Sequence, residues 1–295
     1  MSEDLLISIF CSIDDFCASF EPEFNRILLS KRKHFTRTSR LQLSEIVTIV
    51  ILFHFSKFRT FKDFYFLQRS FLQQFFPLIV SYNRFIELIP RSVFPLFCYL
   101  FSLLEQCSGI SFIDSTILTV CHIRRASSHK TFRGIASKGK TSTGWFFGLK
   151  LHLVISELGA LQAFQLTSGK THDLIPVDFL TQKLFGYLFG DKAYLSQTMF
   201  KKLYERGLKL VTKIRSNMKN KLMDPWEKLM LQARGLIESV NNRLKNGCQI
   251  DHHRHRSPTN FLANLFGGLA AYQLNPKKPS IRPSLNEKFT PLSMS

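Results

Sequence analysis

After Gly109 the chain changes from helical periodicity to short apolar, β-branched segments that are separated by amphipathic ones. The predicted strands are residues 110–121, 145–156, 161–167, 187–190 and 208–214. The predicted helices that follow them are residues 174–184, 196–206 and 226–245. Because three strands come first and helices then alternate with strands, we expect an α/β fold with a mixed five-stranded sheet flanked by helices.

The residues before this change are predicted to be helical. Apolar residues recur at helical spacing after Ser44, and a second amphipathic stretch follows the polar residues 57–60. Residues 43–72 fit either a helix-turn-helix that reads DNA or a helical bundle that supports assembly. We therefore expect a helical N-terminal domain and an α/β domain, followed by a disordered tail with four of the 11 prolines and no apolar period. Their predicted bounds are 1–107, 108–274 and 275–295.

The charge of the chain is large and uneven. Lys and Arg number 40 against 21 Asp and Glu, which gives a formal net charge of +19. Residues 1–110 have a net charge of +2, so residues 111–295 carry +17. A charge concentrated in this way indicates a polyanionic partner such as nucleic acid. The basic segment 26–40 is either a further phosphate contact or a solvated linker.

A membrane location is not expected. The longest apolar runs, between Glu45 and Lys57 and between Arg91 and Glu105, contain 11 and 13 residues, against roughly 20 for a spanning helix. The acidic N-terminus lacks the basic region of a secretory signal. Six Cys residues show no Cys-x-x-Cys spacing and are predicted to be small buried hydrophobes. We expect a cytoplasmic protein.

Three carboxylates stand out because residues 111–295 contain only 11 acids. Asp114 interrupts an apolar strand, and Asp191 follows the strand 187–190, where α/β sites tend to form. Glu238 lies four residues after Arg234 and seven before Lys245, so one helix face would carry all three. Carboxylate oxygens in this number can hold a pair of hard divalent cations for phosphoryl displacement. Taken singly, each acid also fits a structural role as a hydrogen-bonded strand residue, a helix cap or an ion-pair partner.

Basic residues in the same half are candidates for DNA contact. A run over residues 201–221 opposes only Glu205 and is predicted to be a DNA track. Lys150 and His152 face the same way on one strand, where they either line a cleft or form a surface pair. The His-rich tract 251–256 resembles a metal site, but a phosphate-contacting or helix-supporting role is favoured. The complete set of candidate DNA-binding residues is Arg234, Lys245, Lys150, Lys192, Lys213, Arg215, Arg254 and Arg256.

Several motifs in this order resemble those of bacterial insertion-sequence transposases of the DDE type, in particular the group of insertion sequence nine-eight-two. They are Ile113-Asp114-Ser115, Gly148-Leu-Lys150-Leu-His152, Gly169-x-x-His172-Asp173, Gly190-Asp191-Lys192-Ala193-Tyr194, Arg234 to Lys245, and Arg254-His255-Arg256-Ser257. Leu231 stands where the related Tyr-Arg-Glu-Lys signature has tyrosine, so no role of that tyrosine is carried over. The likeness covers nearly the whole chain.

This resemblance implies an RNase H-like catalytic domain in which Asp114, Asp191 and Glu238 are the catalytic and metal-binding residues. It implies two Mg²⁺ ions, with Mn²⁺ as a substitute, and double-stranded DNA as partner at terminal inverted repeats and at the target. Cleavage with water is followed by attack of the freed 3′-OH, and a homodimer on the DNA ends is expected. The alternatives are an RNase H-like nuclease without strand transfer and an inactive protein that still binds the ends.

Overall fold

A computed structural model describes residues 2–29, 39–141, 144–213, 223–251 and 255–281. Contacts divide them into two compact units: the first contains the residues up to Leu103 together with Leu244–Asn275, and the second contains Leu104–Arg243 with the described residues from Pro276 onward. The segment Leu244–Asn275 thus groups with the N-terminal helices, although we placed it in the α/β domain. The domain roles stay predictions, and residues 282–295 of the expected tail lie outside the described residues.

The first unit is helical, as predicted. It consists of α1 (Glu3–Leu29), α2 (Leu43–Phe55), α3 (Phe61–Leu67), α4 (Arg69–Phe75), α5 (Tyr82–Ser102) and α10 (Pro258–Leu274). Helix α2 is buried from Ile46 to His54 and packs against α1, α5 and α10, so it forms the core of the unit. Helix α10 was not predicted.

The turn between α2 and α3 matches the predicted break. The side chain of Thr60 accepts a hydrogen bond from the N–H of Asp63 at 3.1 Å and so caps α3. Whether α2 and α3 read DNA or support assembly stays a prediction. Among the described helices α5 is long and apolar enough to cross a membrane, but it packs against α2 and α10, and a core helix passes the same test. We therefore interpret α5 as a core helix.

The second unit is built on a six-stranded mixed sheet. Its elements are β1 (Ile110–Cys121), β2 (Ser137–Thr141), β3 (Gly144–Ser156), β4 (Leu161–Ser168), α6 (Val177–Leu180), β5 (Gly186–Gly190), α7 (Gln197–Glu205), β6 (Leu208–Thr212), α8 (Pro225–Gln232) and α9 (Gly235–Asn242). Strand β1 pairs antiparallel with β3 on one side and parallel with β5 on the other, and β6 continues parallel to β5. The predicted fold class, an α/β fold with a mixed sheet flanked by helices, is confirmed.

Two details differ from the sequence-based expectation. The sheet has a sixth strand, β2, which pairs with the first residues of β3. Strand β4 pairs with the later residues of β3, along the same edge of that strand. The single helix predicted over 226–245 is wrong: α8 ends at Gln232, α9 begins at Gly235, and a turn of π-helix follows at Arg243–Gly247. Glycine at the start of α9 weakens helical continuity, because it has the greatest backbone freedom.

Candidate active site

Asp114 lies in the middle of the central strand β1. The two residues before it, Phe112 and Ile113, are fully buried, while Asp114 itself is half-buried. Helix α9 packs against β1, and Nδ2 of Asn241 donates a hydrogen bond to Oδ2 of Asp114 at 3.2 Å. The carboxylate is therefore fixed in an apolar environment by one helix amide.

Asp191 directly follows β5, which runs parallel to β1. The register pairs Phe112 with Phe189, and continuing it by two residues brings Asp191 level with Asp114 on the neighbouring strand. A Cβ on Gly190 would lie 3.1 Å from Cγ2 of Ile113, which places the two chain segments side by side. Although Asp191 precedes a short 3₁₀ turn, its side chain makes no capping hydrogen bond there. The cap role that we kept open is thus not observed.

Glu238 lies on α9, one turn before Asn241. Its Oε1 is 2.7 Å from Nη2 of Arg234, and its side chain is 62% exposed while that of Arg234 is 16% exposed. The ion-pair role that we kept open for Glu238 is thus observed. Because residues three apart are neighbours on a helix surface, Glu238 lies beside Asn241, the residue that contacts Asp114.

The pKa of Asp114 is shifted by burial and by the other charged groups of this site. Burial raises this pKa to about 6, the N–H of Ser115 and the charge of Arg234 lower it, and the carboxylates of Asp191 and Glu238 raise it. Since only charges at short range act in this way, the three predicted carboxylates and Arg234 lie within electrostatic reach of one another.

The donor set at this site fits hard divalent cations. Besides the three carboxylates, Oδ1 of Asn241 is buried and has no hydrogen-bond partner in the described part of the chain, and amide oxygens are also ligands for such ions. As placed, however, no three His, Cys, Asp or Glu side chains among the described residues are close enough to hold one ion. Glu238 is turned to Arg234 instead, because a guanidinium is its available counter-charge.

A second polar cluster lies on the opposite face of β1, since Ser115 follows Asp114 and strand side chains alternate. Oδ1 of Asp173 accepts a hydrogen bond from Ser115 Oγ at 3.0 Å and forms an ion pair with Lys150 Nζ at 3.0 Å. Lys150 also donates to the carbonyl of Thr171 at 3.0 Å. These contacts hold the loop after β4 against the sheet, which is a loop-ordering role for Asp173.

His152 belongs to the same face and is not a surface residue. Its side chain is fully buried, and its Nε2 is 2.8 Å from Oγ1 of Thr167. Burial lowers the pKa of His152 to about 4, so the ring is neutral at physiological pH. Neither His152 nor the largely buried Lys150 is available for DNA in this arrangement.

The other predicted DNA-binding residues are distributed over both units. Lys192 and Lys213 in the second unit are exposed, as is Arg256 in the first. Lys245 lies in the first unit, where its Nζ is 3.6 Å from Oδ2 of Asp251. Arg215 and Arg254 lie outside the described residues, as does most of the basic segment 26–40.

The predicted DNA track over 201–221 contains fewer available cations than its sequence suggests. Lys202 and Arg206 pair with Asp178 at 3.0 and 2.9 Å, and Lys209 pairs with Glu227. Both carboxylates come from outside the track, so sequence counting within it could not find them. Among its described members, Lys201 and Lys213 are exposed and form no ion pair with described residues.

Asn241 is the residue that sequence reasoning missed. An amide three residues after Glu238, at a position that faces the sheet, is the available signal. It is weak, because an amide there fits equally a helix interior residue that bonds to its own backbone. Its partner, Asp114, is 127 positions away in the sequence, and only the tertiary structure shows the pairing.

Comparison with known proteins gives one clear match. A family described as a transposase DDE domain matches residues 104–258. No curated protein matches the chain. A solved structure similar to it is a cryo-EM piggyBac transposase synaptic complex with hairpin DNA, with 14% identity, a TM-score of 0.37, and coverage of 74% of this chain and 52% of that chain. The chain thus spans about half the length of that protein.

Proposed function

Because this chain belongs to the family of transposase DDE domains, we propose that it is the transposase of a bacterial insertion sequence. It would cleave DNA at terminal inverted repeats and join the freed 3′ end to target DNA. The observation that carries the proposal is the arrangement of the three carboxylates: Asp191 follows β5 level with Asp114 on β1, and Glu238 lies on the helix whose Asn241 is hydrogen-bonded to Asp114. The effects of Asp191, Glu238 and Arg234 on the pKa of Asp114 agree with this arrangement. Three carboxylates from two strands and a helix fit phosphoryl transfer, a reaction that depends on holding charge in place.

The roles of the side chains follow from their positions. Asp114, Asp191 and Glu238 would hold two Mg²⁺ ions, with Mn²⁺ as a substitute, and Asn241 would keep Asp114 oriented. When bound, such ions supply Lewis-acid stabilisation of charge on the attacking and leaving oxygens. Arg234 restrains Glu238 and presents a guanidinium that suits a phosphate.

Both reactions are displacements at phosphorus. In the first, a water oxygen forms a bond to the scissile phosphorus and the bond to the 3′ oxygen breaks, which leaves a 3′-OH and a 5′-phosphate. In the second, this 3′ oxygen forms a bond to a target phosphorus while a target 3′ oxygen leaves. Bond number is conserved in the second step, so no external energy source is needed.

The partner in this proposal is double-stranded DNA. Exposed cations such as Lys192 and Lys213 would contact phosphates near the acidic site, and a homodimer would hold two terminal repeats together. We place the reaction in the cytoplasm, at the nucleoid. The first unit would contribute to assembly or to the binding of DNA ends.

Analysis of reaction products tests this function. Purified protein is incubated with Mg²⁺, a duplex carrying the inverted repeats that flank its gene, and a labelled target plasmid. The proposal predicts nicked ends and joined strands. Nicked ends without joined strands would indicate a nuclease, and binding without nicks would indicate an inactive end-binding protein, so either result contradicts the proposal.

A further inference from the structure

A cavity of about 930 Å³ lies within the first unit, among helices α2, α3, α5 and α10. Its apolar lining includes the rings of Phe53, Phe61 and Tyr82, together with Ile86 and Ile89. The volume falls within the range of small-molecule sites, and an aromatic lining is typical of such sites. The acidic site in the second unit contributes none of the residues that line it.

The buried polar atoms of this lining that have no hydrogen-bond partner in the described part of the chain include Nε2 of His54, Oδ1 of Asn260 and Nδ2 of Asn264. Buried polar groups are nearly always paired, so three orphans around one cavity require a reason. Asn260 and Asn264 are four residues apart on α10 and therefore share a helix face. Between them they offer one acceptor and one donor.

His54 adds a second acceptor. It is 4% exposed, and its Nδ1 lies 2.6 Å from the carbonyl oxygen of Cys248. Since a carbonyl can only accept, Nδ1 carries the proton and Nε2 has a free lone pair. Burial lowers the pKa of His54 to about 4, against a smaller opposite effect of the Cys248 carbonyl, so the ring stays neutral. The His54 ring packs closely against Gly267. A side chain at that position would crowd the ring, because its Cβ would lie 3.1 Å from Nε2.

The mouth of the cavity is cationic. Arg59, Lys62 and Arg256 line it and are exposed, and none of them forms an ion pair with the residues that the structure describes. Asp251 also belongs to the lining, but its carboxylate is 3.6 Å from Nζ of Lys245. A ligand would thus meet positive charge outside and neutral hydrogen-bonding groups within.

This arrangement selects among ligand classes. An inorganic anion would leave the inner donor and acceptors unused, and a lipid chain would bury them without partners. A metal ion would require a ligand cluster, and none of three or more His, Cys, Asp or Glu exists among the described residues. An unpaired nucleobase offers donors and acceptors on one edge and an aromatic face for stacking, and its phosphate suits the cationic mouth.

We propose that this cavity binds one unstacked nucleotide of single-stranded DNA, with the base against His54, Asn260 and Asn264 and the phosphate at Arg59, Lys62 and Arg256. The inference rests on the proposed function for its partner, DNA, and adds a site for an unpaired base. Such a site would favour DNA ends that are frayed or locally opened, where a base is free to leave the stack.

The test is equilibrium binding of fluorescein-labelled single strands by the full chain. Homopolymers of each of the four bases are compared with an abasic sugar–phosphate strand of the same length. We expect at least one base to bind about tenfold more tightly than the abasic strand, since stacking of one base has this magnitude. Asn264→Leu and Asn260→Ala should remove most of this preference and leave the abasic affinity unchanged. Lys62→Gln, a surface change, should weaken all strands equally.

Asn83→Leu, at an exposed position of α5, is the matched control and should behave as wild type. Equal affinity of wild type for base-containing and abasic strands would overturn the proposal, and so would a base preference that persists in both asparagine variants. Asp114→Asn should retain the preference, because that residue lies in the other unit. Base preference without cleavage therefore contradicts only the proposed function, and cleavage without base preference contradicts only this inference.

Discussion

Nδ2 of Asn241 donates a hydrogen bond to Oδ2 of Asp114 at 3.2 Å, which joins helix α9 to the central strand of the sheet. Glu238 lies one turn earlier on the same helix. Asp191 lies level with Asp114 on the neighbouring parallel strand, by continuation of the observed register. A single contact thus orders the helix that carries one acid over the strand that carries another.

Asp114→Asn is expected to stabilise the metal-free protein at high pH. Its folded pKa of about 6 lies above the ordinary value of 3.8, so the folded state binds this proton more tightly than the unfolded state. The wild-type carboxyl therefore costs stability that grows as pH rises from about 4 to 6, by at most about 3 kcal/mol. Urea unfolding in chelator at pH 4 and pH 8 measures the difference.

The two proteins should unfold nearly alike at pH 4, where the folded Asp114 is protonated and the stability cost of its carboxyl is still small. At pH 8 without chelator, added Mg²⁺ should stabilise the wild-type protein and not the variant, because a ligand that binds the folded state raises its stability by mass action. An Asn variant that is less stable than wild type at pH 8 in chelator would contradict the electrostatic description of this site.

Arg234→Met is expected to move the pH dependence of cleavage upward. The guanidinium lowers the pKa of Asp114, so its removal raises that pKa, and the active carboxylate then forms only at higher pH. The acidic limb of a pH–rate profile in Mg²⁺ measures the shift. Lys228→Met, at an exposed position of α8, is the control and should leave the limb in place. A shift of the acidic limb to lower pH in Arg234→Met would contradict this prediction.

Asp173→Asn is expected to destabilise the second unit. The carboxylate pairs with Lys150 at side-chain exposures of 21% and 14%, and its loss leaves the ammonium without its charged partner, at a cost of about 3 kcal/mol. Denaturant unfolding of Asp173→Asn, Lys150→Met and the double variant forms a cycle. We expect the double variant to lose much less than the sum of the single losses. Additive losses would show that the pair is not coupled.

Gly148→Ala is expected to weaken the pairing of β1 with β3. A Cβ at this position would collide with the carbonyl oxygen of Leu118, and relief by backbone movement typically costs about 1–3 kcal/mol. Gly235→Ala is the matched control, since a Cβ there meets nothing within 4 Å and the residue lies in α9. The thermal midpoint should fall for the first variant and hold or rise for the second. Equal midpoints would contradict the close approach at Gly148.

Strands with a strong apolar pattern were predictable from the sequence, and β1 was found with the predicted bounds, Ile110–Cys121. Strand β2 was missed because its residues, Ser137–Thr141, are polar or glycine, and it exists through pairing with β3 alone. The helix 226–245 was predicted as one because its apolar spacing continues past the interruption before Gly235. Local pattern therefore identified the sheet core but not the elements set by tertiary pairing.

In the candidate site too, local contacts were predictable from the sequence and contacts between distant residues were not. The spacing of Arg234 and Glu238 predicted their contact, which is local to one helix and is found at 2.7 Å. The bond of Asn241 to Asp114 and the pairing of Lys202 with Asp178 join distant parts of the chain, and no local pattern encodes them. Lys150 was expected to contact DNA, whereas the structure shows it bound to Asp173.

Mg²⁺-dependent cleavage of terminal-repeat DNA by single acid variants tests the central claim most directly. We predict that Asp114→Asn, Asp191→Asn and Glu238→Gln each lower the cleavage rate by at least about a thousandfold, since each would remove a ligand of the reacting centre. Glu205→Gln, at an exposed position of α7, should cleave at the wild-type rate. Wild-type cleavage by Glu238→Gln, or by either aspartate variant, would contradict the assignment of this site.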